Sequence, residues 1–254
     1  MNNFFVDTHA HLFKEYFSDI DEIIDNAKQN NVNYIVNSGC DDLTNKEVME
    51  SIKNNHIFGT IGIHPEAVLS YKLEDIQFIK DNINNKKIIA VGEIGLDYHF
   101  NKDQKEEQKT LFETMLKIAE DNNLPVVIHS RDATEDTINI LKKYKVKGVI
   151  HSFSGSLEVA NIYINMGYML GINGVSTFKN TNLLETLKNI DISNIVLETD
   201  TPYLTPVPYR GMKNEPKNII EIAKNLSLFL GISLNDLAEV TNKNISKIFD
   251  KIVI

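Results

Sequence analysis

The chain has 254 residues, 42% of them hydrophobic and 24% charged, which are the proportions of an ordinary globular protein with material for a large core. A formal net charge of −9 argues against holding nucleic acid through a basic surface, although bound dications can supply positive charge where a phosphate must sit. The one cysteine, Cys40, excludes an internal disulfide, and its place after an apolar run predicts a buried, inert thiol. No apolar stretch approaches the roughly 18 residues of a membrane span. The first residues, Met-Asn-Asn-Phe-Phe-Val-Asp, lack the basic region and cleavage site of a leader, whose removal would also delete His9 and His11. Cytoplasmic residence is therefore expected, with no membrane and no obligate protein partner.

Short apolar, β-branched runs alternate with amphipathic stretches along the whole chain. The strand-like runs are Phe4–Asp7, Tyr34–Asn37, Ile57–Ile63, Ile88–Gly92, Val126–His129, Gly148–His151, Tyr168–Ile172 and Ile195–Leu197. Helical patterns fall between them at Asp19–Gln29, Leu73–Ile83, Lys105–Asp121, Ala133–Lys143 and Leu157–Asn165. Ser18 and Asp19 precede a stripe of Ile20, Ile23, Ile24 and Ala27, as an N-cap precedes a core-facing helix. Eight such units without a composition break predict an α/β fold, a (β/α)8 TIM-type barrel formed as one domain over residues 1–254. A doubly wound open sheet is the alternative. A proline-rich irregular stretch, Thr201–Lys217, follows the eighth run and is expected to cover the C-terminal mouth. Three further helical segments, Ile219–Leu230, Leu234–Thr241 and Ile245–Lys251, are expected to pack outside the barrel.

Five motifs sit where these strands end, the edge at which barrel enzymes carry their chemistry. In Asp7-Thr8-His9-Ala10-His11, residues two apart on a strand face the same way, so both imidazoles can converge on one ion. Glu93 follows Ile88–Gly92, where a buried carboxylate needs a partner or a metal; the alternative is a glutamate just clear of the core. His129 and His151 each end an apolar run, and Glu198 and Asp200 stand at strand spacing before Pro202. None of these decides the matter singly. Together they place four histidines and at least two carboxylates at one end of a barrel. That donor mixture suits zinc, manganese, cobalt or iron, and magnesium less well.

Outside this set, His64 in Gly-Ile-His-Pro reads as a substrate-phosphate contact, an auxiliary metal ligand or a hydrogen-bonding partner behind the ligands. Arg131 and Arg210 can each grip a phosphate with two parallel bonds, or serve as ion-pair partners. Glu198 shares a strand face with Asp200 and reads as a substrate or third-metal contact, or as support for the ligands. Tyr98 and His99 are candidates for stacking on a base. His56 precedes its strand, at the opposite end of the barrel, and reads as structural.

The sequence resembles the TatD family of metal-dependent deoxyribonucleases, within the amidohydrolase-like barrels. The matching segments are DTHAHL (Asp7–Leu12), GIHP (Gly62–Pro65), VGEIGLDYH (Val91–His99), PVVIHSRDA (Pro125–Ala133), HSFSGS (His151–Ser156), LETDTPYLTP (Leu197–Pro206) and YRGMKNEP (Tyr209–Pro216). They run in family order from residue 7 to residue 216, with one departure: Met212 stands where the family has a basic residue. The resemblance implies one cation held by His9, His11 and Asp200, and a second held by His129 and His151, with Glu93 bridging. Related phosphotriesterase-like barrels bridge with a carboxylated lysine instead. The resemblance further implies that Asp200 accepts a proton from the attacking water. The substrate it implies is single-stranded DNA, cleaved from 3′ to 5′, with RNA as a second candidate. Hydrolysis of an ester or amide, such as an aminoacyl ester, is the rival activity, because the same ligands can activate water toward a carbonyl. A non-catalytic metal-holding scaffold would be expected to lack a ligand, and none is missing here.

Overall fold

Eight parallel strands and their intervening helices follow one another around a barrel in the computed structural model, which describes residues 4–252. Residues 1–3, part of the segment read for a leader, and residues 253–254 lie outside that range. The strands are β1 (Phe5–Ala10), β2 (Val32–Ser38), β3 (Ile57–Ile61), β4 (Ile88–Asp97), β5 (Val126–Arg131), β6 (Gly148–Ile150), β7 (Tyr168–Ile172) and β8 (Ile195–Leu197). Each pairs in parallel with the next, in the order β1 to β8. Around them lie α1 (Ile20–Gln29), α2 (Asp42–Ser51), α3 (Leu73–Asn82), α4 (Lys105–Asp121), α5 (Thr134–Leu141), α6 (Leu157–Asn165) and α7 (Leu183–Leu187). Then come α8 (Ile219–Leu230) and α9 (Leu234–Ile248). This is the (β/α)8 barrel with added C-terminal helices that the alternating pattern predicts, not an open doubly wound sheet.

Local chemistry sets the element ends. Asp19 caps α1 by accepting the Glu22 N–H, and Asp41 and Thr44 form a reciprocal capping box on α2; caps of this kind contribute about 1 kcal/mol each. β4 continues beyond Gly92 to Asp97 because β5 runs close beside it. Gly95, at φ 147°, permits that approach, since a Cβ there would lie 1.9 Å from the His129 carbonyl oxygen. The final helix also differs from expectation: α9 is continuous where two segments separated by Asn242–Asn244 were predicted. The polar residues at that point anchor the helix. Asn242 Nδ2 donates to the Phe4 carbonyl, and Asn244 Nδ2 donates to those of Ile192 and Ile195.

The barrel closes at a seam between β8 and β1. Ala10 and Thr201 form a parallel bridge, Asp200 N–H donates to His9 O at 3.0 Å, and His11 N–H donates to Thr201 O at 2.7 Å. Asp7 is the clasp. Its Oδ1 accepts the Thr199 N–H at 2.8 Å, and its Oδ2 meets the Thr199 hydroxyl at 2.5 Å, all fully buried. Burial pushes the Asp7 carboxyl up to about 8 despite those bonds. Asp7→Ala leaves the buried Thr199 N–H without its acceptor, while the Thr199 hydroxyl keeps its bond to that of Thr201, so it should cost about 1–3 kcal/mol. Urea unfolding would measure this, and an unchanged midpoint would remove the clasp from the account.

At the opposite end the barrel has a floor. Val6, Val36, Ile89, Val127, Val149 and Val196 point into its lower interior, where Ile245, Ile248, Phe249 and Ile252 pack against them. The last helix and its extension thus fill the barrel from below as well as lying against its side. The closed floor leaves the C-terminal mouth as the open end.

Candidate metal centre

The strand-end motifs converge at that mouth because the ligand-type side chains lie in the last part of their strands or just past them, with Glu93 on the long β4 the exception. His9 lies within β1 and His11 just beyond it, Glu93 lies midway along β4, His129 is in β5, and His151 directly follows β6. Asp200 lies three residues past the end of β8, in a left-handed conformation (φ 57°) that turns it inward. All but His129 are buried, and His129 is partly so.

Glu93 is the hub. Its Oε2 lies 3.3 Å from His9 Nε2 and 3.6 Å from His11 Nε2, while its Oε1 lies 2.9 Å from His129 Nδ1 and 3.9 Å from His151 Nε2. Asp200 Oδ1 is 3.6 Å from both His11 Nε2 and His151 Nε2. Candidate ligand atoms lie within 4.8 Å of one another in three groups: His9, His151 and Asp200; His9, His11 and Glu93; His64, Glu93 and His129.

The donor set fits divalent cations. His11 Nδ1–H donates to the Ser38 carbonyl at 2.9 Å, which leaves the Nε2 lone pair facing inward. His9 Nε2 stands 3.2 Å from His11 Nε2. Two nitrogens bound tetrahedrally to one zinc ion, each at about 2.0–2.1 Å, would lie about 3.3 Å apart. Electrostatics agree. Burial opposes charge on His129 and His151, yet Asp97 and Glu93 push His129 up to about 9, and Glu198, Asp200 and Glu93 push His151 up to about 10. Burial likewise opposes charge on Glu93 and Asp200, but the surrounding histidines hold both below the usual carboxylate range. Burial and the neighbouring His151 push the His9 ring down, so it is beside His129, His151, Glu93 and Asp200 that the field favours a cation.

The other expected residues separate. His64 Nδ1 accepts the Glu66 N–H, capping a 3-10 turn (Pro65–Ala67), so the neutral ring carries its proton on Nε2. Burial and the neighbouring His129 push its pKa down to about 3. Nε2–H faces Glu93 Oε1 at 3.6 Å as a donor, which speaks against His64 as a ligand despite its proximity. Glu198, read as a substrate or third-metal contact or as support for the ligands, takes the supporting place, fully buried behind His151. β8 ends at Leu197, so strand alternation does not carry through these residues. Glu198 Oε1 instead accepts the Ser152 N–H at 2.7 Å and lies 2.9 Å from His151 Nδ1.

Arg131 is exposed, with its guanidinium 4.9 Å from the Phe100 ring, and helps line a cavity of about 390 Å³ together with His151, Ser130, Ser152 and Ser154. Arg210 is exposed in the loop after β8, its guanidinium 3.7 Å from the Phe178 ring centroid. Tyr98, a candidate for base stacking, is partly buried with one face of its ring covered. Lys105 lies over its ring at 4.4 Å, and its hydroxyl donates to Asp136. His99 is half-exposed, 3.5 Å from Asp132. His56 keeps its structural place below, bonded to the Asn33 carbonyl.

Four residues near the centre carry no signal of that place in the sequence. Asp97 Oδ2 lies 3.1 Å from His129 Nε2, on the face that alternation along β4 from Glu93 through Gly95 gives it. Ser38 ends β2 beneath His9 and His11. Cys40 is only partly buried, with Sγ 3.8 Å from Glu93 Oε2, although burial pushes its thiol up to about 11, away from nucleophilic character. Tyr203 supplies an exposed ring instead of Tyr98: 49% exposed, 6.1 Å from the His11 ring, its hydroxyl bonded to that of Tyr16.

A closed-floor barrel with this polar cluster at its mouth defines a metal-dependent hydrolase. The family model described as TatD related DNase matches residues 6–250, and the chain belongs to that family. A metal-dependent hydrolase of Bacillus subtilis, YabD, is 39% identical over 249 residues, spanning 96% of this chain and 98% of the bacterial protein. The human deoxyribonuclease TATDN3 is 32% identical over 263 residues, covering 97% and 95% of the two chains. The crystal structure of the TatD homolog YJJV from Escherichia coli superposes with a TM-score of 0.91 at 26% identity, covering 97% of this chain and 98% of that one. No helix among the described residues is long and apolar enough to cross a membrane.

Proposed function

We propose that this protein is a two-cation nuclease that hydrolyses phosphodiester bonds in single-stranded DNA from the 3′ end, with RNA as a second substrate. The observation that carries the two-cation reading is the division of Glu93. One carboxylate oxygen faces His9 and His11, and the other faces His129 and His151. In this reading His9, His11 and Asp200 hold one cation, His129 and His151 hold the other, and Glu93 bridges them. Zinc, manganese, cobalt or iron suits these donors, with magnesium a poorer match. When bound, such dications would lower the pKa of a water and offset charge on the phosphoryl oxygens.

The chain's own groups do the rest. Asp200 Oδ1, equidistant from His11 and His151, accepts the proton of the attacking water. His64 presents Nε2–H toward a phosphoryl oxygen, a role that its bonded Nδ1 permits. Arg131 stands beside His151 at the polar cavity, where it can hold a neighbouring phosphate with two parallel bonds. Arg210 lies farther out on Phe178, suited to a more distant phosphate. Glu198 acts through His151. Preference for nucleic acid is supported by the human relative's name, deoxyribonuclease.

Protein stripped of metal by a chelator should be inactive and should regain activity with zinc, manganese or cobalt. The assay is nucleotide release from 3′- and 5′-labelled single-stranded DNA, run beside small ester and amide substrates. Early release of the 3′ label is the expected outcome. Failure of every divalent ion to restore DNA cleavage, with ester turnover intact, would transfer the centre to the rival carbonyl chemistry.

A further inference from the structure

The cavity of about 390 Å³ beside the centre lies between the loops that follow β5 and β6. His151 belongs to both places: its Nε2 faces Glu93 and Asp200, and the same residue lines the cavity. A group bound in the cavity and a phosphate at the centre can therefore be parts of one molecule. The volume falls at the lower end of the range for small-molecule sites, about 300–1,000 Å³, which suits a single nucleoside.

The lining has two characters. Its inner wall is apolar and buried: Ile150, Phe153 and Tyr163 are each at most 5% exposed, with the Phe153 and Tyr163 rings edge to face at 6.5 Å. Val159, in the first turn of α6, is partly buried on the same lining. Polar groups stand at the lip. Ser154 is exposed there, and the Ser152 hydroxyl accepts from Asn173 Nδ2 at 2.8 Å, which leaves its own proton free to donate. Arg131 and Asp132 are exposed, with Asp132 3.5 Å from His99, and the inner wall carries no charge. Asp132 and Ser152 also lie in the left-handed region, at φ 54° and 49°. Such conformations cost energy and gather at binding and catalytic sites. A smaller cavity of about 220 Å³ has the opposite character: Asp41, Asp42 and Asp75 line it without a cation, which would repel a phosphate.

An apolar wall suits the face of a base, and hydroxyls at its edge suit the oxygens of a sugar. Resting on the nuclease reading above, we infer that this cavity receives the nucleoside at the 3′ end of the strand, the one attached to the scissile phosphate. The base packs on Phe153 and Val159, the sugar meets Ser152 and Ser154, and the 5′-phosphate stays at the centre beside His151. Arg131, at the lip, remains available for the next phosphate along the strand. The buried inner wall gives a continuing strand no way through, so the cavity takes an end and release proceeds one nucleotide at a time.

The test is calorimetric titration of the metal-reconstituted full-length protein with thymidine 5′-monophosphate and with methyl phosphate. Both probes reach the centre, but only the nucleotide fills the cavity, so it should bind about tenfold or more tightly. Val159→Phe, which fills the cavity, should bring the nucleotide down to the affinity of methyl phosphate and leave methyl phosphate unchanged. Ser154→Phe, at an exposed position, obstructs the lip and repeats the comparison should Val159→Phe fail to fold. With bound metal unchanged, each variant should also slow release of the 3′ label by about tenfold or more. Nucleotide binding no tighter than that of methyl phosphate, or tight binding unaltered in the folded variants, would overturn the inference. Release of the 3′ label by the same wild-type protein would then leave the nuclease reading standing. Tight nucleotide binding that the variants abolish, in a protein that cleaves no DNA, would support the cavity and end the nuclease reading.

Discussion

Asp200→Asn should lower hydrolysis by about 10²–10⁴-fold at saturating metal, the range for loss of a positioned general base. The substitution preserves shape where shape matters. The Asp200 backbone N–H still donates to His9 O across the seam, and asparagine tolerates its left-handed backbone at φ 57°. What is lost is the proton-accepting carboxylate, 3.6 Å from His11 Nε2 and His151 Nε2. Asp200 is also a candidate ligand, so bound metal must be quantified beside the rate. A fall in turnover at unchanged metal content supports the base. Full turnover with two bound ions would remove that role from Asp200.

Phe249→Ala carries the largest expected effect on stability, about 3–5 kcal/mol for a large buried aromatic. Phe249 is fully buried against the lower barrel with Ile245, Ile248 and Ile252. Removing its ring opens a cavity where β-branched strand residues have little freedom to collapse inward. In a chain of this size each kcal/mol shifts the melting temperature by about 2–4 °C. Melting should therefore fall well outside experimental error, while metal binding at low temperature stays unchanged. A variant that melted normally would mean that the floor does not hold the barrel together.

The periodicity of the sequence exposed the barrel because its strands are nearly all apolar and end in abrupt polar motifs. His9, His11, Glu93, His129, His151 and Asp200 were legible for the same reason: each interrupts or follows an apolar run at the point where side chains leave the core. Asp97 was hidden because the apolar run stops at Gly92, whereas Gly92 and Gly95 let β4 run on close beside β5 to Asp97. Glu198 was legible as support for a ligand, but not as the partner of His151, because the chain leaves β8 at Leu197 and reaches Asp200 with positive φ. Ser38 and Tyr203 carry no pattern of their own, and their proximity to the centre is purely tertiary. The single α9 was obscured because Asn242 and Asn244, which look like helix breakers, are used as side-chain donors to distant carbonyls.

The seam has a further consequence for how the molecule comes into being. The Asp7 clasp joins residues 192 positions apart, so most of the chain must be synthesised before β1 gains its second neighbour. Closing a loop of that length costs about 4–5 kcal/mol of chain entropy, recovered only when the seam and floor contacts form together. Until then the nascent chain carries a row of β-branched strands with an open edge, the kind of surface that invites pairing with other chains. His9 and Asp200 lie on opposite sides of that same junction. If both hold a cation as proposed, it would meet a complete set of ligands only in a finished barrel, and metal loading would follow the closing of the seam.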